Sequence, residues 1–157
     1  MQYNKNNPLR VITLCSGYDS QCLALERLHQ DFPDFYYELV AWSEIDEHAI
    51  RAHNVLFPQW ADRNLGDMTK ISQAGLQHGF TEGSGTRSSI IWYTREALKV
   101  LKPKYALLEN VAAMVSEKFL PMYNIWANEV QRLGYQNFAK LLNAKNYGVP
   151  QNRERIF

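Results

Sequence analysis

Glu109 stands at the end of a short apolar run, residues 105–108, with Pro103 before it and Asn110 after it. Such a run predicts a strand buried on both faces, with its polar end emerging at the sheet edge. In an open parallel sheet ligands sit at the carboxyl ends of strands, so a carboxylate there is placed for chemistry. The same position also suits a carboxylate capping the following helix. Three further acids share this placement: Asp19 after the first predicted strand, Glu44 after the second, 25 positions on, and Asp67 near the end of a weak third. In nucleotide-binding folds the acid after the second strand accepts hydrogen bonds from ribose hydroxyls, and Asp67 suits an adenine amino group by the same donor and acceptor logic. Singly, each also reads as a helix cap. Arg153 and Arg155 lie two apart, and an extended backbone would aim both guanidinium groups to one side as a fork for a phosphate or a base carbonyl. A solvated charge run is the plainer reading of the same residues. Cys15 ends an apolar strand, which predicts a buried, inert thiol. His29, His48, His53 and His78 show no ligand spacing and read as surface or capping residues.

The elements that must hold these groups alternate. Residues 10–15 (RVITLC) form a predicted strand, broken by SGYDS before a helix over 19–30 with Tyr18, Cys22, Leu25 and Phe32 on one face. Residues 37–42 (YELVAW) are a second strand and 46–55 a helix stopped by Phe57-Pro58. A short strand over 64–71 is followed by the glycine-rich stretch 72–86, which reads as a mobile loop. A helix over 88–101 presents Ile90, Tyr93, Ala97 and Leu101. Another over 118–133, striped by Met122, Trp126, Val130 and Leu133, is closed by Gly134. Residues 138–142 and 155–157 read as further strands. Strands alternating with helices predict an α/β fold, a doubly wound, mostly parallel sheet, in one domain over 1–157.

The totals fit a folded globule: 157 residues, 46% hydrophobic and 13% aromatic. Seventeen basic and sixteen acidic residues leave a net charge of +1, which neither demands nor excludes nucleic acid. Two cysteines exclude a disulfide framework and a zinc cluster and suit a reducing cytosol. No apolar run reaches membrane length, and the start MQYNKNNP has no signal-peptide core, so a cytoplasmic protein without a membrane partner is expected.

Taken in order, these pieces resemble the DNA (cytosine-5) methyltransferases. LCSGYDSQCLALERL is similar to that family's first motif, ELVAWSEIDEHA to its second and GDMTKI to its third. GLQHGFTEGSGTRSSIIW resembles the stretch after its catalytic loop, LLENV its glutamate motif and GVPQNRERIF its arginine motif. The last two are specific; the first is weaker, because Asp19 and Ser20 replace glycines common in the family. The resemblance implies a Rossmann-like methyltransferase sheet and S-adenosylmethionine as cofactor. Ser16, Gly17, Tyr18 and Asp19 would wrap the cofactor, Glu44 would hold its ribose with Ile45 beside the adenine, and Asp67 with Met68 would contact the adenine edge. Glu109 would bind a flipped cytosine at N3 and its amino group, with Arg153 and Arg155 supporting the active site and the base carbonyl. The partner would be double-stranded DNA, in a bacterial or phage modification setting, with the target base extruded because C5 and C6 are inaccessible inside the stack.

One departure is sharp. The family attacks C6 with a cysteine from a Pro-Cys motif between its third motif and the glycine-rich stretch, but here Ile71 runs straight into Ser72, and no Pro-Cys occurs anywhere. The central strand preceding that motif is missing too, which would leave neighbouring backbone groups unpaired, and the family's target-recognition region is absent from the end. The expectation is a methyltransferase core that is inactive alone, whose gap a partner chain could cover. A non-catalytic cofactor- or partner-binding module is the alternative. A nicotinamide oxidoreductase would leave LLENV and QNRER unexplained.

Overall fold

A computed structural model describes residues 2–71 and 90–157. The glycine-rich stretch and His78 lie outside them, as does the start of the helix expected from 88. The chain divides into two compact units, Met1–Gln73 and Ala74–Phe157.

In the first unit, strand β1 (Leu9–Leu14) pairs in parallel with β2 (Tyr37–Ser43) through helix α1 (Ser20–Asp31). The register slips by one residue: Val11 faces Leu39 and Ile12 faces Ala41, leaving Val40 bulged. A bulge interrupts the period of two, and here it lets Leu39 and Trp42, three apart, enter the same core with Cys22 and Phe57. Helix α2 (Glu47–Leu56) begins where Asp46 accepts the Ala49 amide at 2.9 Å and ends before Pro58, which opens a 3-10 helix over Pro58–Arg63. The strand expected over 64–71 shrinks to one parallel bridge between Asn64 and Trp42, and Met68–Ile71 is instead a short helix, α3. The Gly66 turn, φ 71°, ends extended backbone there.

In the second unit, helices α4 (Ile90–Leu101) and α5 (Leu120–Arg132) share a core of Ile91, Met114, Trp126, Val130 and Ile156. Trp126 and Val130 lie on the expected stripe of α5. On α4 the buried face is offset by one position, to Ile91 with Trp92 and Leu98 packed beside the core, and Leu101 is exposed. Gly134, φ 96°, closes α5 as expected. Three short strands, β3 (Asn110–Val111), β4 (Leu141–Asn143) and β5 (Glu154–Ile156), form an antiparallel sheet in the order β3-β5-β4. The mostly parallel pairing expected is therefore limited, among the described residues, to β1 with β2 and the single bridge between Trp42 and Asn64. The buried strand expected over 105–108 is not formed: Tyr105 and Leu107 are 66% and 72% exposed, and only Leu108 packs on the core. A strand needs a hydrogen-bonded neighbour, and none among the described residues pairs with this run.

Candidate functional site

In the first unit the sequence-predicted residues converge on one turn. Cys15, Gly17 and Asp19 all have positive φ (51°, 58° and 66°), so the chain leaves β1 through alternating left-handed positions. The turn is closed by the Asp19 amide on the Ser16 carbonyl at 2.8 Å, and tied to β2 by the Ser16 amide on the Ser43 carbonyl at 3.1 Å. Glu44 meets it from the end of β2. Its Oε2 accepts the Gly17 amide at 2.8 Å, and its Oε1 accepts the amides of Ile45 and Asp46 at 2.8 and 3.0 Å. Asn64 clasps the Glu44 backbone on both sides, accepting its amide at 3.2 Å and donating to its carbonyl at 3.1 Å. Asp67 accepts both the amide and the hydroxyl of Thr69 on Oδ1, at 2.9 and 2.8 Å. The Thr69 hydroxyl and amide hold its carboxyl below the ordinary range.

This arrangement fits an adenosyl ligand. Among the described residues the buried Ser16 hydroxyl has no hydrogen-bond partner, and a side chain added at Gly17 would meet only open space. Oε2 of Glu44 carries one contact where a carboxylate oxygen can accept two, and both Thr69 contacts on Asp67 fall on one oxygen. Ile45 and Tyr18, 70% and 52% exposed, offer apolar surface beside these acceptors.

Several expectations change in the structure. Asp19 is fully buried, so it offers the ligand no surface; its carboxylate accepts from the Thr13 hydroxyl at 2.7 Å and from the Cys22 amide at 3.2 Å. Tyr18 and Phe32, expected on the inner face of α1, are exposed. Cys15 is exposed rather than buried, because its positive φ turns it out of the strand pattern. Its Sγ lies 3.1 Å from Met68 Sδ, and partial desolvation, then the Glu44 and Asp67 carboxylates, raise its pKa. The thiol is therefore a poor nucleophile. His53, expected at the surface, is fully buried and stacked on Trp42, with ring centroids 3.7 Å apart.

In the second unit, Arg155 lies opposite Val111 on β3, so Glu109, two residues before Val111, is its diagonal neighbour on the same face. Arg155 Nε meets Glu109 Oε1 at 2.7 Å, and its Nη1 donates to the Glu154 carbonyl at 2.7 Å. Arg153 does not join this pair; its side chain is exposed, and among the described residues only its backbone is held. Asn143 holds it, accepting the Arg153 amide at 3.2 Å while donating to Asn152 at 2.7 Å. Asn64 and Asn143 escape sequence reasoning, because an amide that braces backbone across a turn carries no periodic or spacing signal.

Residues 69–157 match the model of the family described as C-5 cytosine-specific DNA methylase. The chain is 42% identical over 87 residues to the type II methyltransferase M2.ScrFI of Lactococcus lactis subsp. cremoris, covering 55% of this chain and 24% of that protein. It is 32% identical to the orphan methyltransferase M.Rho11sI of Bacillus phage rho11s, covering 95% of this chain and 32% of that protein. The chain thus spans about a quarter to a third of the length of these relatives. The phage alignment runs over 169 residues although this chain has 157, so the relative carries residues there for which this chain has none. Among solved structures, the S. pombe Dnmt2 methyltransferase superposes with a TM-score of 0.62 at 18% identity, over 94% of this chain and 47% of that one. The fold is the Rossmann-like α/β fold of that methyltransferase. Among the described residues no helix is long and apolar enough to cross a membrane.

Proposed function

Because this chain belongs to the C-5 cytosine-specific DNA methylase family, we propose that it is the core of a DNA (cytosine-5) methyltransferase, one catalytic domain acting on double-stranded DNA in the cytoplasm of a bacterium. Restriction-modification or phage modification is the setting that its relatives' names suggest. Bound at the first site, S-adenosylmethionine would supply an electrophilic methyl group. Ser16, Gly17 and Tyr18 would line it, Glu44 would accept from its ribose hydroxyls, Ile45 would lie along the adenine, and Asp67 with Met68 would meet the adenine edge. Asp19 would contribute from behind the turn.

The observation that carries the reading is the 2.7 Å contact of Arg155 on β5 with Glu109, the residue just before β3. A flipped cytosine has an amino group and N3 for a carboxyl group and a carbonyl for a cation, side by side. Glu109 would hold the first two and Arg155 the carbonyl, with Arg153 supporting the site. A proton shared with N3 would make C6 electrophilic, a thiolate would add there, C5 would take the methyl group, and a base would then remove the C5 proton and release the thiolate. The thiolate is what this chain lacks. Neither Cys15, raised in pKa, nor buried Cys22, raised further by burial and by Asp19, suits the role, so the chain alone is expected to be inactive.

Labelled methyl transfer to unmethylated DNA tests this. No incorporation by the chain, beside incorporation when a Pro-Cys loop is inserted after Ile71, is expected. Transfer that survives alanine replacement of both Cys15 and Cys22 would refute the thiolate account. The absent Pro-Cys also favours a second reading, a non-catalytic module that keeps the cofactor site and serves a partner. Calorimetric binding of S-adenosylmethionine without rescue by the inserted loop would support that reading, and no binding by the folded chain would remove it.

A further inference from the structure

Behind the cofactor-facing turn lies a buried pair that the proposed chemistry does not use. Asp19 Oδ2 accepts from Thr13 on β1 at 2.7 Å and stands 3.7 Å from Nε2 of His53 on α2. Both side chains are fully buried, and among the described residues neither ring nitrogen of His53 has a hydrogen-bond partner. Among the described residues, Asp19 is the charged group that faces this imidazole. Trp42 from β2 and Phe57 after α2 cover it with neutral rings, Asn54 is its neighbour on α2, and the Cys22 thiol beside Asp19 stays protonated. Asp19 sits at φ 66°, a conformation that glycine adopts freely and that aspartate tolerates when its side chain is locally bonded. Its amide closes the turn on Ser16, and the next residue along, Gly17, is pinned to Glu44. The carboxylate and the turn therefore move together.

We propose that Asp19 and His53 form a proton-dependent positioning pair for the turn Ser16, Gly17 and Tyr18, so that ligand affinity at the turn follows a histidine that lies behind it. While His53 is neutral, Asp19 is held by Thr13 and the Cys22 amide. A proton on His53 places a cationic N–H donor 3.7 Å from Oδ2, and closing that gap to hydrogen-bond length draws the carboxylate away from α1 and takes the turn with it. Burial lowers the pKa of His53, with Asn54 and the Asp19 carboxylate working against that shift. The neutral, turn-closed state accordingly prevails at neutral pH, and affinity falls on acidification.

The inference rests on the cofactor reading of the turn, but its decisive test does not. In the full chain labelled with ¹⁵N, the His53 ring and the amides of Ser16, Gly17 and Tyr18 are followed by NMR between about pH 5 and 8. The amides are expected to shift with the midpoint of His53. In Asp19→Asn the amides lose that titration and His53 titrates lower, since a raising charge is gone; in His53→Gln the amide titration vanishes. Affinity for S-adenosylhomocysteine should fall roughly threefold or more across the same transition in the unsubstituted chain and stay flat in either variant. Amides that ignore His53, or a His53 that takes no proton before the chain unfolds, overturn the pair. Amides that track His53 in a chain that binds no S-adenosylhomocysteine at any pH leave the pair standing and remove the cofactor reading.

Discussion

Glu44 and Glu109 each end an apolar run, yet the two carboxylates are held differently. Glu44 accepts three backbone amides, and Asn64 braces its own backbone. Glu109 has the Arg155 guanidinium, its side chain is 38% exposed, and the run before it belongs to no ladder. A carboxylate fixed by local backbone is in position as soon as its own turn folds. One fixed by a single side chain across a two-residue strand depends on whatever completes the sheet. The carboxylate proposed for the cofactor is thus fixed by backbone amides of its own unit, while the one proposed for the base is fixed by one side chain.

The strongest way to break that comparison is through the cores. Trp42 is fully buried, stacks on His53 and donates its indole N–H to the Trp60 carbonyl at 2.8 Å. Trp42→Ala should cost about 3–5 kcal/mol, read as a collapse of the urea midpoint of the first unit. Leu107→Ala, at a residue 72% exposed, should stay within about 0.5 kcal/mol. A loss at Leu107 comparable to that at Trp42 would mean that the 105–108 run is packed in solution. Glu44→Ala comes next. It strips three amides of their acceptor, with an expected cost of about 1–3 kcal/mol and at least about a tenfold loss of S-adenosylhomocysteine affinity by calorimetry.

What the sequence made legible follows the same divide. Caps and stops were readable because their cause is local: Asp46 opens α2, Pro58 ends it, Gly134 closes α5, and Trp126 with Val130 marks its buried face. The parallel pairing of β1 with β2 and the acid that directly follows β2, Glu44, were readable too. Tyr105 to Leu108 has a strand's composition, but strand formation is decided by neighbours that composition does not contain. His53 looked like a surface histidine because its burial comes from Trp42 and Phe57, brought over it by the fold. The sequence suggests that Asp19 faces a ligand, but three alternating positive φ angles turn it inward.

Acid should sharpen the contrast in the first unit. The folded pKa of His53 lies below its ordinary 6.5, so as pH falls the unfolded chain takes the proton first. Stability is then full above about 6.5 and is lost below it toward the folded value, with a limiting slope of about 1.4 kcal/mol per pH unit. Asp67, lowered by Thr69, acts in a separate window: its contribution is present above the ordinary 3.8 and is lost as pH falls through the folded value. Urea midpoints at about pH 7.5 and 5.5 separate the two, because the upper window should vanish in His53→Gln and persist in Asp67→Asn.

The smallest effect is expected where the proposed chemistry is greatest. Glu109 and Arg155 are paired at 2.7 Å but remain 38% and 22% exposed at their side chains, so water screens both and ordering them costs side-chain entropy. A double-mutant cycle with Glu109→Gln and Arg155→Ala should give a coupling of about 0.2–1 kcal/mol in stability. Arg153→Ala should be near neutral, since Asn143 holds its backbone rather than its guanidinium. In the chain with a Pro-Cys loop restored, the same Glu109→Gln change should cost at least about a hundredfold in methyl transfer, because a general acid acts in the transition state and not in folding. A stability coupling above about 2 kcal/mol would instead make this pair as pre-formed as the Glu44 clasp. The dependence of the base site on an added strand would then have to be abandoned.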